Sequence, residues 1–482
     1  MRKSALAIHS LLTLAALCGF DAGVARANGV FPSVSQLVVE PGEPTHFYLR
    51  TTFGIVFSWD DGASWSWICE DALGYTNTLP PIAVLEGGEL LVGVPTGVSR
   101  GKVSECGFQL AAGIDANVVD LAVAKKTPNV VVALGIDFTT HATQVWESSD
   151  SGASFARLGP EFPEFLGTTI DVAPSDPSVI YLSGMPTSGA RGVLLRSTDH
   201  GETFESHEIP DSVGAEWPYI GAVAPEDANK VFVRLADVPG RLKVTTDGGE
   251  TFSEPLTLDY ELQGFALSPD GQSVFVSSPA AGTFRADASG LVFEQLACSG
   301  VSCLKWNGEV LFACGDQTID GYTVGRSLDA GKSYERLLNF ECITPYAGCA
   351  AASPVATICP PLWPFIGLQL AGFGTCAEAM PPPPTFNACL GAAGDAGATG
   401  VGGSAGTGGR EGQGGAAGSV NISGGKAASK EESSGCGCRF AAEPRSTHFT
   451  AWLGAACLAL ATSLRRRKVP LSLGARNRTA SR

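Results

Sequence analysis

Short apolar runs recur along the chain, each closed by Pro, Gly or Asp. Asp171-Val172-Ala173 leads through Pro174-Ser175-Asp176-Pro177 into Val179-Ile180-Tyr181-Leu182. The same plan returns in Val38-Val39-Glu40-Pro41 before Phe47-Tyr48-Leu49, in Ala222-Val223-Ala224-Pro225 before Val231-Phe232-Val233, and in Ala266-Leu267-Ser268-Pro269 before Val274-Phe275-Val276. β-Branched and aromatic runs divided by turn formers predict hairpins. Residues 30–345 show no sustained helical periodicity. The pattern therefore predicts an all-β body of short antiparallel strands.

A second pattern fixes the number of repeats. The motif Ser/Thr-x-Asp-x-Gly-x-Ser/Thr-aromatic occurs five times, at residues 58–65, 148–155, 197–204, 245–252 and 327–334. Its aspartates are Asp60, Asp150, Asp199, Asp247 and Asp329, separated by 90, 49, 48 and 82 residues. Two gaps are about one period and two are about double. Decayed copies are therefore expected near residues 105 and 288. Ser104-Glu105-Cys106-Gly107-Phe108 and Arg285-Ala286-Asp287-Ala288-Ser289-Gly290-Leu291-Val292-Phe293 occupy those places. The result is seven units of 41 to 49 residues, a period that marks a propeller or solenoid. Each unit has room for four strands, enough for one blade. The expected fold is a seven-bladed β-propeller over residues 28–345.

The motif is turn chemistry. Asp accepts hydrogen bonds from nearby backbone N–H groups, and Gly permits positive φ. The turns are thus expected to be structural, built on Asp60, Gly62 and Trp65; Asp150, Gly152 and Phe155; Asp199, Gly201 and Phe204; Asp247, Gly249 and Phe252; and Asp329, Gly331 and Tyr334. The motif resembles the Asp-box, or BNR repeat. That resemblance implies a propeller whose motif turns lie on the rim, away from the ligand face. Asp-box propellers include sialidases, xyloglucan-type glycosidases, sortilin receptors and photosystem assembly factors, so the fold does not fix an activity. The Phe-Arg-Ile-Pro-like motif of sialidases is not found; Phe53-Gly54-Ile55-Val56 lacks its Arg. Arg50, Arg191, Arg234 and Arg285 are scattered over the units.

The ends of the chain read as addresses. Arg2 and Lys3, an apolar run from Ala5 to Phe20, and Ala25-Arg26-Ala27 form a signal peptide over residues 1–27. Cys18 leaves a lipoprotein reading open. At the other end, residues 435–482 hold Gly435-Cys436-Gly437-Cys438, an apolar segment over 447–464 and Arg465-Arg466-Arg467-Lys468. The apolar segment predicts a transmembrane helix with its basic end in the cytoplasm. This order resembles the MYXO-CTERM sorting tails of myxobacterial surface proteins. The resemblance implies processing near Cys436, with Cys436 and Cys438 as sorting or lipidation residues; a permanent single-pass anchor is the alternative. Residues 391–434, mostly Gly, Ala and Ser, cannot bury enough surface to fold and predict a disordered tether spanning roughly 35 Å. The expected localisation is the cell surface or outer envelope, with the membrane reached through the tail.

Cysteine and charge set further limits. Leaving out Cys18 and the tail cysteines, ten remain, which in an exported chain suggests five disulfides. Cys69 and Cys106, alone in the first two units, are expected to pair. Cys349, Cys359, Cys376 and Cys389 predict a disulfide-stapled, Pro-rich appendage over residues 346–390. The net charge is −16; the ends are basic, so the body is more acidic still, which argues against nucleic acid as a partner. No spaced His pair, phosphate-cradling Gly loop or nucleophile elbow is present. No catalytic residue, metal or cofactor is assigned. The units are close to minimum length for four strands, leaving little loop for a catalytic cleft. The expected function is a surface-displayed, monomeric binding or scaffold module for a protein or glycan, with an extracellular carbohydrate-active hydrolase, sialidase-like or other, as the alternative.

Overall fold

The computed structural model describes residues 32–376, apart from 138, 190, 213–216 and 298–299. The segments expected to form a signal peptide, a tether and a transmembrane helix over 447–464, together with Cys436 and Cys438, lie outside the described residues. Among the described residues no helix is long and apolar enough to cross a membrane, and no cluster of three or more His, Cys, Asp or Glu is placed to hold a metal ion.

Seven antiparallel sheets follow one another along the chain, at residues 34–68, 82–110, 117–162, 165–208, 218–258, 264–297 and 301–338. Each has four consecutive strands, numbered here from first to fourth within its blade. The first strand of each blade packs against that of the next, and that of blade 7 against that of blade 1. This closes the ring around a central channel. The protein is thus an all-β, seven-bladed propeller.

The apolar runs explain why blades stack. Second strands read Phe47-Tyr48-Leu49, Val131-Val132-Ala133-Leu134, Ile180-Tyr181-Leu182 and Val231-Phe232-Val233, and these residues are almost completely buried. They do not alternate with polar residues because a blade lies against each face of the strand. Fourth strands alternate or are polar; Glu205–Glu208 is largely exposed. Burial therefore runs from the middle of each blade outward to a wet rim.

The chain closes the ring differently at its end. Strand Ile343–Pro345 pairs in parallel with Trp65–Ile68, adding a fifth strand to blade 1. Beyond it lie helices Pro354–Ile358 and Trp363–Ala371. Ser353 caps the first helix by accepting from the N–H of Ala356, and Val355 is buried beneath it.

The disulfides correct one expectation. Cys69 and Cys106 do not pair with each other. Cys69 bonds to Cys359 and Cys106 to Cys349, across separations of 290 and 243 residues. Cys69 precedes helix Glu70–Leu73, and Cys106 ends the turn Val103–Glu105. The returning segment packs against both places: the N–H of Val355 donates to the Cys106 carbonyl, and that of Cys69 to Cys359 Sγ. Each cysteine thus meets a partner from the appendage. Cys303–Cys314 joins the first two strands of blade 7, and Cys342–Cys376 ties the appendage to the end of that blade. Cys298 and Cys389 lie outside the described residues.

Candidate functional site: the mouth of the channel

The five motif turns connect third and fourth strands in blades 1, 3, 4, 5 and 7. The expected decayed copies near 105 and 288 fall at the same connection in blades 2 and 6. All five turns share one bonding scheme. In the second, Asp150 Oδ1 accepts from the N–H of Ser154 at 2.9 Å and from the Ser148 hydroxyl at 2.8 Å; Oδ2 accepts from the Ser154 hydroxyl at 2.6 Å. The N–H of Gly152 donates to Ser148 Oγ at 2.8 Å, and its φ of +81° suits glycine. Asp60, Asp199, Asp247 and Asp329 repeat the contacts. Bonds to the ionised form hold these carboxyls below the ordinary range, Asp150 and Asp199 at about 2. In every one of these turns the carboxylate's hydrogen bonds come from residues of the turn itself.

The opposite end of the channel is different. Strand direction places the motif turns where first strands finish. A cavity of about 430 Å³ opens where first strands begin, a size within the usual range for small-molecule sites. Its walls include Gln36, Arg50, Asp120, Thr169, Tyr219, Arg234 and Gln263, which come from five units of the chain.

The walls are tied together blade to blade. The Gln36 amide donates to the Ile82 carbonyl at 3.1 Å and accepts from the Ile82 N–H at 3.3 Å. Asp120 Oδ2 accepts from the N–H of Ile170 at 2.9 Å, and Thr169 Oγ1 from that of Ile220 at 2.8 Å. In each case a first-strand side chain satisfies the backbone of the next blade's first strand, so the polar lining is also the fastening of the ring.

Arg50 and Arg234 occupy the same repeat position, next to the buried run of the second strand in blades 1 and 5. Arg50 donates through Nε to Ser35 Oγ at 3.0 Å and through Nη1 to the Leu79 and Pro80 carbonyls at 3.3 and 3.2 Å. Arg234 donates through Nη1 to the carbonyls of Leu262 and Gln263. Its guanidinium lies 5.8 Å from the centre of the Tyr219 ring. Burial pushes its pKa down to about 10, and burial also raises the Tyr219 hydroxyl. Burial lifts Asp120 to about 7; the N–H groups of Ile170 and Leu121 and the charge of Arg50 oppose that rise without cancelling it.

Of the scattered arginines, the structure brings Arg50 and Arg234 together and leaves Arg191 and Arg285 elsewhere, beside Glu208 and Asp287. Sequence reasoning did not single out Asp120, Tyr219, Gln36 or Gln263. A signal existed in Asp120, a carboxylate inside Val118-Val119-Asp120-Leu121. Nothing in the sequence alone placed it opposite an arginine of blade 1.

Fold and site together define a seven-bladed β-propeller of four-stranded antiparallel blades with a polar, arginine-bearing channel mouth. No protein-family model matches the sequence, and no curated protein matches it. Among solved structures, the chain is similar to an ancestral GH74 enzyme, with TM-score 0.51 and 14% identity over 64% of this chain and 46% of that one. A GH74 enzyme of Niastella koreensis matches with TM-score 0.42 and 15% identity over 53% of this chain and 44% of that one. Hydrazine synthase of Kuenenia stuttgartiensis matches with TM-score 0.49 and 11% identity over 64% of this chain and all of that one. The matches span less than half of each GH74 chain. At these identities the likeness concerns the propeller fold.

Proposed function

We propose that this protein is an exported, surface-anchored propeller that acts as a non-enzymatic binding or scaffold module, with its protein or glycan ligand seated at the channel mouth. The observation that carries the reading is the composition of the mouth. Among the described residues that line the cavity, Asp120 is the one carboxylate, whereas glycoside hydrolysis ordinarily uses two flanking the scissile bond. The motif aspartates are committed to their own turns. The disulfides fit an oxidising compartment, and the sorting-tail resemblance supplies the anchor.

The second reading, an extracellular carbohydrate-active hydrolase, is favoured by one observation. A carboxyl group raised to about 7, as in Asp120, has the protonation behaviour of a general acid. One experiment separates the readings: the purified chain is assayed on a glycan panel for retention and for released reducing ends. Retention without release supports the binding module. Release abolished by Asp120→Asn overturns it in favour of the hydrolase.

A further inference from the structure

Trp217, Val238 and Tyr260 are large, apolar and exposed, and they stand at one end of blade 5. Trp217 precedes its first strand, Val238 lies between its second and third strands, and Tyr260 follows its fourth. All three positions are therefore at the mouth end. Backbone contacts hold them together. The Trp217 N–H donates to Asp237 Oδ2 at 3.4 Å, the Gly240 N–H to the Tyr260 carbonyl at 2.9 Å, and the Leu262 N–H to the Ala236 carbonyl at 3.1 Å. Trp217 is a near neighbour in sequence of Tyr219, and Tyr260 of Gln263; both of those residues line the cavity. The patch is thus the blade 5 lip of the mouth. Single exposed apolar side chains need no explanation, but several gathered beside a candidate site mark a contact surface.

Charge says what covers it. Asp237, Asp259 and Glu261 are exposed around these rings. Asp237 accepts from the Trp217 N–H, and Glu261 accepts from the Gln263 amide at 2.5 Å. Among the described residues none of the three carboxylates forms an ion pair. The cations at this end of the blades are engaged elsewhere. Arg191 reaches Glu208, Arg241 reaches Glu254, and Lys243 reaches Glu254 and Asp211. Arg234 donates inward, to the carbonyls of Leu262 and Gln263. Flat rings beside carboxylates without counter-ions suit one chemistry. A guanidinium or ammonium group lies over a ring face, while a carboxylate meets its N–H groups. The net charge of −16 draws such a group in from a distance. A neutral glycan would use the rings and leave the carboxylates unanswered. An acidic segment would be repelled.

We propose that the blade 5 lip of the mouth docks a basic segment of a protein partner, with an arginine or lysine side chain against Trp217 and Tyr260 and with Asp237 and Glu261 beside it. This rests on the reading of the mouth as the binding face and names the chemistry of the partner, a protein and not a glycan. The cation stays on the lip, because Arg50 and Arg234 on the cavity walls keep it out of the channel.

The test is calorimetric titration of the full chain with a peptide alternating arginine and glycine, and with the same peptide carrying citrulline in place of arginine. Citrulline keeps the planar group and loses the charge. The arginine peptide is expected to bind, and the citrulline peptide to bind about tenfold more weakly or less, since ring contact and carboxylate pairing both require the charge. Trp217→Ala, and Asp237→Asn combined with Glu261→Gln, each weaken binding of the arginine peptide about threefold or more. Glu202→Gln, which removes an exposed carboxylate on the side of the motif turns, leaves it unchanged. The citrulline comparison uses the unaltered protein, so it decides even where Trp217→Ala fails to fold. Equal affinity for the two peptides, no binding of the arginine peptide, or equal weakening by Glu202→Gln overturns the proposal. If a glycan is retained instead and is lost in Gln263→Ala, the mouth remains the site and only the chemistry of the partner is wrong. If a retained ligand ignores Trp217→Ala and Gln263→Ala alike, both readings fall.

Discussion

At the rim, Asp150 takes all its hydrogen bonds from residues within four positions of itself. At the mouth, Asp120 takes one from Ile170, fifty residues away. The same side chain is thus held below its ordinary pKa in one place and raised in the other. Local hydroxyls and N–H groups surround the rim carboxylate and favour its charge. At the mouth, burial dominates and disfavours it. A self-contained turn keeps its chemistry wherever the chain carries it, whereas the mouth exists only while seven blades are shut into a ring.

The sharpest way to break that contrast is to loosen the ring. Cys69→Ser with Cys106→Ser removes both links between the appendage and blades 1 and 2. Chemical denaturation is expected to show a loss of about 2–5 kcal/mol per bridge. Hydrogen exchange adds the discriminating detail: the Ile82 and Ile170 amides at the mouth lose protection before the Ser154 and Thr203 amides in the turns. Equal loss at both places would show that the turns are not self-contained.

Asp150→Ala tests the other side. It leaves the N–H of Ser154 and the hydroxyls of Ser148 and Ser154 without their acceptor, at an expected cost of about 1 kcal/mol, comparable to losing a helix cap. Ligand binding at the mouth is unchanged. A thermal melt and a parallel titration check the two halves of this statement.

The pH dependence separates the two carboxylates by sign. Asp150 and Asp199, lowered from 3.8 to about 2, stabilise the fold above the unfolded value, and that contribution is lost as pH falls through about 2. Asp120, raised to about 7, binds its proton more tightly when folded. Its contribution is most favourable below 3.8 and declines as pH rises towards 7. Asp120→Asn, which keeps an oxygen for Ile170, is therefore expected to raise Tm by roughly 2 °C at pH 8, with a smaller gain at pH 4. Melts of the two proteins across this range with the opposite trend would remove the asymmetry.

The smallest effect belongs to Arg191. Its pairing with Glu208 is exposed on both sides, so Arg191→Ala is expected to change stability by less than about 0.5 kcal/mol and leave mouth binding unaltered.

This contrast also explains what could be read from the sequence. The motif turns close over eight residues, so their bonding partners stand beside one another in the chain, and the doubled gaps locate the blades without them. The mouth assembles Gln36, Arg50, Asp120, Tyr219 and Gln263 through contacts between blades, and no local pattern records which faces meet. The cysteines failed for the same reason. Cys69 and Cys106 look like natural partners when only the first two blades are considered, but the returning segment supplies Cys359 and Cys349 after the ring has closed. The arginines were visible as residues; their position next to the buried second-strand run, in blades 1 and 5 alike, gains meaning only once the blades face a common axis.

The fastening at the end of the chain has a mechanical consequence. A pull on the chain beyond Cys376 does not travel along a single backbone. Part passes through Cys342 into the end of blade 7, and part through the appendage to Cys359, and so to Cys69 in blade 1. The parallel strand Ile343–Pro345 lies between these two attachments. Traction is therefore shared across the seam of the ring instead of unzipping one blade, strand by strand, from its free edge.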